Sequence, residues 1–73
     1  MTAPVVQVEH GRHSTYFAGD SGVIHAVLKT LGCPRQYDRK RRALAVPKQF
    51  GNDVEAALEM QFGVDVQQVE AIS

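Results

Sequence analysis

Two periods of apolar spacing divide this chain, and the switches between them mark its elements. Val5-Val6-Gln7-Val8 alternates as a strand, with Pro4 tolerated at its start. Ser14-Thr15-Tyr16-Phe17-Ala18 carries the β-branched and aromatic residues of a second strand. The short link His10-Gly11-Arg12-His13 reads as a turn, so the two strands are expected to pair as an antiparallel hairpin. Beyond Gly19 the spacing changes. Val23, Ile24, Val27, Leu28 and Leu31 lie on one stripe of a helix, with Asp20 or Ser21 as its N-cap. Gly32 is placed to close that helix, and Pro34 prevents its continuation.

Ala43-Leu44-Ala45-Val46 returns to a strand period, with Leu44 and Val46 on one face. Pro47 is expected to end this third strand or to place it at a sheet edge. Asn52 or Asp53 would cap a second helix whose buried stripe is Val54, Ala57, Leu58 and Phe62, with Gly63 as its end. Val64 and Val66 open a fourth strand, and Val69 and Ile72 are looser apolar anchors. The order β-β-α-β-α-β predicts an α+β fold, a small mostly antiparallel sheet with two helices packed on one face. Each helix–Gly unit, ending at Gly32 or Gly63, is followed by a strand, a faint sign of internal duplication.

Composition narrows the class. At 73 residues the chain allows one domain, which buries only about 60% of its unfolded surface and so has a thin core. Apolar residues at 44% exclude disorder. No apolar run approaches the roughly 20 residues of a membrane helix, and Met1-Thr2-Ala3-Pro4 does not read as a signal peptide. Cys33 is the only cysteine, which excludes an intramolecular disulfide and points to a reducing cytoplasm.

The net charge of zero hides a split. All eight Lys and Arg lie between Arg12 and Lys48, against Glu9, Asp20 and Asp38, for a local net of +5. The remainder, with Asp53, Glu55, Glu59, Asp65 and Glu70, carries −5. This pattern suits an anionic partner for the first part, or attraction between the two parts. Arg outnumbers Lys, and Asn and Ile are scarce, as in GC-rich bacterial or phage genomes.

The main candidate site is the run Arg39-Lys40-Arg41-Arg42. Guanidinium groups take phosphate oxygens in bidentate fashion, and clustered cations release counterions from nucleic acid. Arg35 and Lys48, with Arg12 and Lys29, would widen the patch, and Tyr37 offers a stacking surface for an unpaired base. A solvated turn is the plain alternative. Asp38 is expected to accept backbone N–H bonds in that turn or to pair with Arg41 or Arg42, rather than to catalyse. His10, His13, His25 and Cys33 lack the paired spacing of a zinc site, and Cys33, just past a helix C-terminus, reads as a small packing residue. The carboxylates of the second helix, Asp53, Glu55 and Glu59, read as a solvated face or a protein-interaction surface.

The stretch from Gly22 to Glu59 resembles the HARP domain, an accessory module of annealing helicases that act on forked and partly single-stranded DNA. The residues that carry the resemblance are Lys29, Leu31, Gly32, Tyr37, Asp38, Arg41, Arg42, Val46 and Pro47. Leu44 stands where the family usually has Trp on the strand before Pro. The resemblance implies DNA binding, DNA ahead of RNA, without cofactor. A phosphate loop of the G-x-x-x-x-G-K type is absent, so the resemblance does not imply ATPase activity, and with no catalytic signature along the chain an enzyme is the last of the expected readings. The alternative from the residues themselves is a phage or bacterial protein-interaction module that regulates a host protein. Homodimerisation through an unpaired strand edge would suit so small a sheet.

Overall fold

A computed structural model describes residues 3–69 of the chain. A hairpin of β1 (Val5–His10) and β2 (Ser14–Gly19) leads into helix α1 (Ser21–Leu31). A second hairpin, β3 (Gln36–Asp38) and β4 (Ala43–Pro47), leads into helix α2 (Lys48–Phe62), and β5 (Asp65–Val69) completes the sheet. The strand order is β3-β4-β2-β1-β5, antiparallel throughout except where β5 lies parallel to β1. This is the α+β architecture that the apolar spacing predicts, with both helices on one face.

Strand alternation decides what lies under the helices. Val6 and Val8 of β1, Thr15 and Phe17 of β2, and Leu44 and Val46 of β4 are buried. All of these except the polar Thr15 meet Ile24, Val27 and Leu28 of α1 and Val54, Ala57 and Leu58 of α2 in one apolar cluster. Burying each large aliphatic or aromatic side chain contributes about 1.5–3 kcal/mol, and these few residues supply most of what a small domain has. Cys33 joins the cluster as the small packing residue expected of it.

The helix ends follow their local chemistry. The Asp20 carboxylate accepts the N–H of Val23 at 3.2 Å, capping α1. Gly32 and Gly63 take the left-handed conformation at the two C-termini, where a side chain would be strained. No helix among the described residues is long and apolar enough to cross a membrane.

Three expectations are corrected, and the two roles open to Pro47 are resolved. The sheet has a strand more than predicted within residues 3–69, because Gln36–Asp38 pairs with Ala43–Ala45. That strand puts β4 inside the sheet, so Pro47 ends β4 without marking an edge. Helix α2 starts at Lys48, ahead of Asn52 and Asp53, which lie inside it and cap nothing. The Lys48 N–H is satisfied by the His13 carbonyl of the β1–β2 turn at 3.2 Å, a tertiary bond in place of a side-chain cap. Leu31 and Phe62, expected in the buried stripes, are each 40% exposed at the last turns of their helices. Ile72 lies outside the described residues.

Candidate nucleic-acid interface

The basic run forms the loop between β3 and β4, closed by the pairing of Asp38 with Ala43. Asp38 shapes this loop. Its Oδ1 accepts the N–H of Lys40 at 2.9 Å and of Arg41 at 3.2 Å, the bonding that makes Asp favourable at the first position of a turn. Its Oδ2 lies 3.6 Å from Nη1 of Arg41. Both roles expected of Asp38 are thus combined in one side chain. The loop ends in a left-handed residue, Arg42, at φ 50°. Gly or Asn ordinarily fills such a position, and a side-chain-bearing residue there costs about 1–2 kcal/mol.

The four cations of the run do not act alike. Arg41 folds back over the sheet face opposite the helices. Its Nε donates to Oε2 of Glu9 at 3.1 Å, and its guanidinium carbon sits 4.4 Å from the centroid of the Tyr16 ring. The hydrogen bond it donates to Glu9 is the main reason its pKa is held above the ordinary guanidinium range. Arg41 is therefore committed to the chain's own carboxylates and ring. The ion pairs among the described residues involve Arg41 and His10, and none involves Arg39, Lys40 or Arg42. These three are exposed at the loop.

Tyr37, on β3, is 58% exposed. It pairs with Leu44, which puts it on the helix side of the sheet edge. Leu44 itself is buried in the core. Arg35 and Lys48 lie at the other end of the β3–β4 hairpin, beside the β1–β2 turn. Lys48 Nζ donates to the Gly11 carbonyl there at 3.1 Å. The basic run and the pair Arg35 and Lys48 are thus two groups separated by the length of β4, roughly 13 Å at about 3.3 Å per residue, while Arg12 lies in the β1–β2 turn and Lys29 on α1.

Between the groups the open face has a shallow hollow of about 410 Å³, lined by Ser14, Tyr16, Gln36, Tyr37 at the sheet edge, Asp38, Arg39 and Lys40 and floored by Ala45. Tyr16 and Glu9 belong to this face without standing out in the sequence pattern. Their only signal is the alternation that buries Thr15, Phe17 and Val8 on the other side.

The histidines and the cysteine stay apart. Nε2 of His10 lies 2.8 Å from Oε1 of Glu55 and 3.0 Å from Oε1 of Gln68, which ties β1 to α2 and β5. The contact to Glu55 is short but badly angled, so that buried oxygen lacks a directional hydrogen bond, and Gln68 is the better partner. Burial, with Asp53 nearby, pushes the Cys33 thiol up. Among the described residues no three His, Cys, Asp or Glu side chains gather as a metal site.

No protein-family model, curated protein or solved structure matches this chain.

Proposed function

We propose that this protein is a noncatalytic module that binds DNA, with single-stranded or forked DNA as its target, through the β3–β4 loop. One observation carries the reading: among the described residues Arg39, Lys40 and Arg42 stand exposed and make no ion pair with a carboxylate, while the neighbouring acids are occupied by Arg41. A cation also stands at position 42 on a left-handed backbone, where glycine would relieve the strain. The HARP-like order of residues around this loop agrees with the reading, as does the +5 balance of residues 1–48. Arg41 is a positioning residue in this scheme: it holds the loop against the sheet. Tyr37 adds an aromatic surface beside the loop, and Arg35 and Lys48 extend the positive potential at the far end of β4.

Binding by phosphate contact has a characteristic salt dependence. Three cations on a single strand give a slope of log K against log salt of about −2. A titration of fluorescently labelled forked and single-stranded DNA at 50 and 200 mM salt should therefore show about 20-fold weaker binding at the higher salt. Replacing Arg39, Lys40 and Arg42 together by Ala should abolish both the binding and the slope. Absence of binding at low salt, or an unchanged slope in the triple variant, overturns the reading.

A second reading, a protein-interaction module acting on a host protein, has its own observation. A groove of about 550 Å³ between the end of α1 and the outer side of α2 is lined by Leu31, Phe50, Ala56 and Met60, with Asp53 as its charged side chain. Met60 is 84% exposed there. A partner retained after nuclease treatment and lost with Met60→Lys, with DNA affinity unaffected, would favour this reading. The strand edges of β3 and β5 that face away from the sheet are unpaired among the described residues, and light scattering tests whether either edge joins two copies.

A further inference from the structure

We infer that the hollow over Ala45 seats one unpaired base of a DNA strand against Tyr16, while Arg39 and Lys40 take the phosphate beside it. The inference rests on the DNA-binding reading above and gives it a subsite that the basic loop alone does not supply.

The floor of the hollow follows from strand register. Tyr16 of β2 lies opposite Ala45 of β4, and Ala45 lies opposite Gln36 of β3. A small residue between two larger ones leaves a recess on a sheet face that no helix covers. Its volume, about 410 Å³, falls within the roughly 300–1,000 Å³ of small-ligand sites. The wall is preorganised. Arg41 lies over the Tyr16 ring and is itself held by Glu9 and Asp38, so the ring costs little entropy to order on binding. At Gly11, a Cβ would come within 2.8 Å of Cε2 of Tyr16, so the absence of a side chain there gives the ring its place.

The chemistry around the recess fits a nucleotide. An aromatic side chain stacks on any base, and Gln36 offers both a donor and an acceptor to a base edge. Arg39 and Lys40 line the same hollow. Asp38 is its anionic side chain, and that charge is engaged by two loop N–H groups and by Arg41. The far group of cations also gains a purpose. A strand leaving the hollow along β4 meets Arg35, which with Gln36, Ala45 and Pro47 lines a second recess. Lys48 stands just beyond it. The span of β4 equals about four phosphate steps of a stacked strand at about 3.4 Å each. A single strand laid across the open face therefore has cations at both ends and a base site between.

The chain has two tyrosines and no tryptophan, which makes the subsite directly readable. In the full-length Tyr37→Phe variant, which keeps the aromatic ring at 37, all tyrosine emission comes from Tyr16. Titration with a ten-residue oligothymidylate at 50 mM salt should quench that emission by at least half, in step with binding measured by anisotropy of a labelled strand. An abasic strand of equal length should bind through its phosphates and leave the emission unchanged. Ala45→Leu in the same background fills the recess; it should abolish the quenching and weaken oligothymidylate binding between about 5-fold and 150-fold, the range of one lost stacking contact. Binding of oligothymidylate without quenching, or equal quenching by the abasic strand, overturns the base site and leaves the loop reading standing. Failure of both strands to bind overturns both. The comparison of the two strands uses one variant, so it holds even where Ala45→Leu disturbs the sheet.

Discussion

The two faces of the sheet are built from the same strands, one residue apart, and they have different work. On the helix side Val6, Val8, Phe17, Leu44 and Val46 lie in a close-packed aliphatic and aromatic layer. On the open side Glu9, Tyr16 and Ala45 meet solvent and the returning Arg41. The first face holds the fold by area. The second holds little area, and its contacts are directional: an ion pair, a ring under a guanidinium, a loop pinned by one carboxylate. The difference teaches where function can change cheaply, because only the open face can gain or lose side chains without emptying the core.

The sharpest test of this contrast is a pair of truncations on neighbouring residues. Phe17→Ala should cost about 3–5 kcal/mol, enough to unfold so small a domain. Tyr16→Ala should stay folded with a loss of about 1 kcal/mol, near the centre of single-substitution effects. Urea melts followed by circular dichroism measure both, and equal losses would abolish the distinction between the faces.

A second test probes how closely a helix approaches the packed face. Gly51 lies within α2, and a Cβ there would clash with the Thr15 side chain. Gly→Ala in a helix interior ordinarily stabilises by roughly 1 kcal/mol. Gly51→Ala should instead destabilise by about 1–3 kcal/mol through overpacking, read from the shift in urea midpoint. A gain in stability would mean that α2 lies farther from the sheet.

At the β3–β4 loop, where Arg42 lies beside Tyr37 and the start of α1, the expected signs reverse. Arg42→Gly relieves a left-handed backbone and should stabilise by about 1 kcal/mol, while lowering the salt slope of DNA binding by about 0.7. A variant that is both more stable and weaker in binding marks a residue kept for function. One that is stabilised with unchanged binding would remove Arg42 from the interface.

The smallest effect concerns Cys33. Its folded thiol titrates above the ordinary range, through burial first and Asp53 second. The unfolded chain therefore loses the thiol proton first as pH rises. The contribution is complete below the ordinary thiol pKa of about 8.5 and is lost as pH climbs from there through the folded value. Cys33→Ser should flatten that alkaline decline in urea melts. Reaction of native Cys33 with a thiol reagent at pH 8 should also be slower than that of the unfolded chain.

Periodicity alone places both helices, the first hairpin and the last strand, because alternation over five residues and a stripe over eleven are strong local signals. It misses β3, whose three residues are too short to show a period and carry a Tyr-Asp pair that equally suits a loop. It misses the start of α2, because Gly51-Asn52 looks like a break. The helix runs through it, since the packing of Gly51 on Thr15 and the bond from Lys48 to His13 outweigh the local cost. At the candidate site the sequence names all the cations but treats them as one patch.

By itself, then, the sequence determined the class of fold, most of the core apart from Leu31 and Phe62, and the presence of a basic loop. These depend on spacing along the chain and on residue type. Only the tertiary structure decided which cations face solvent and which are spent. Glu9 lies 32 residues from Arg41 along the chain, and nothing local could pair them. Strand register brought Glu9, Tyr16 and Ala45 side by side, and that register set both the fate of Arg41 and the hollow beside it.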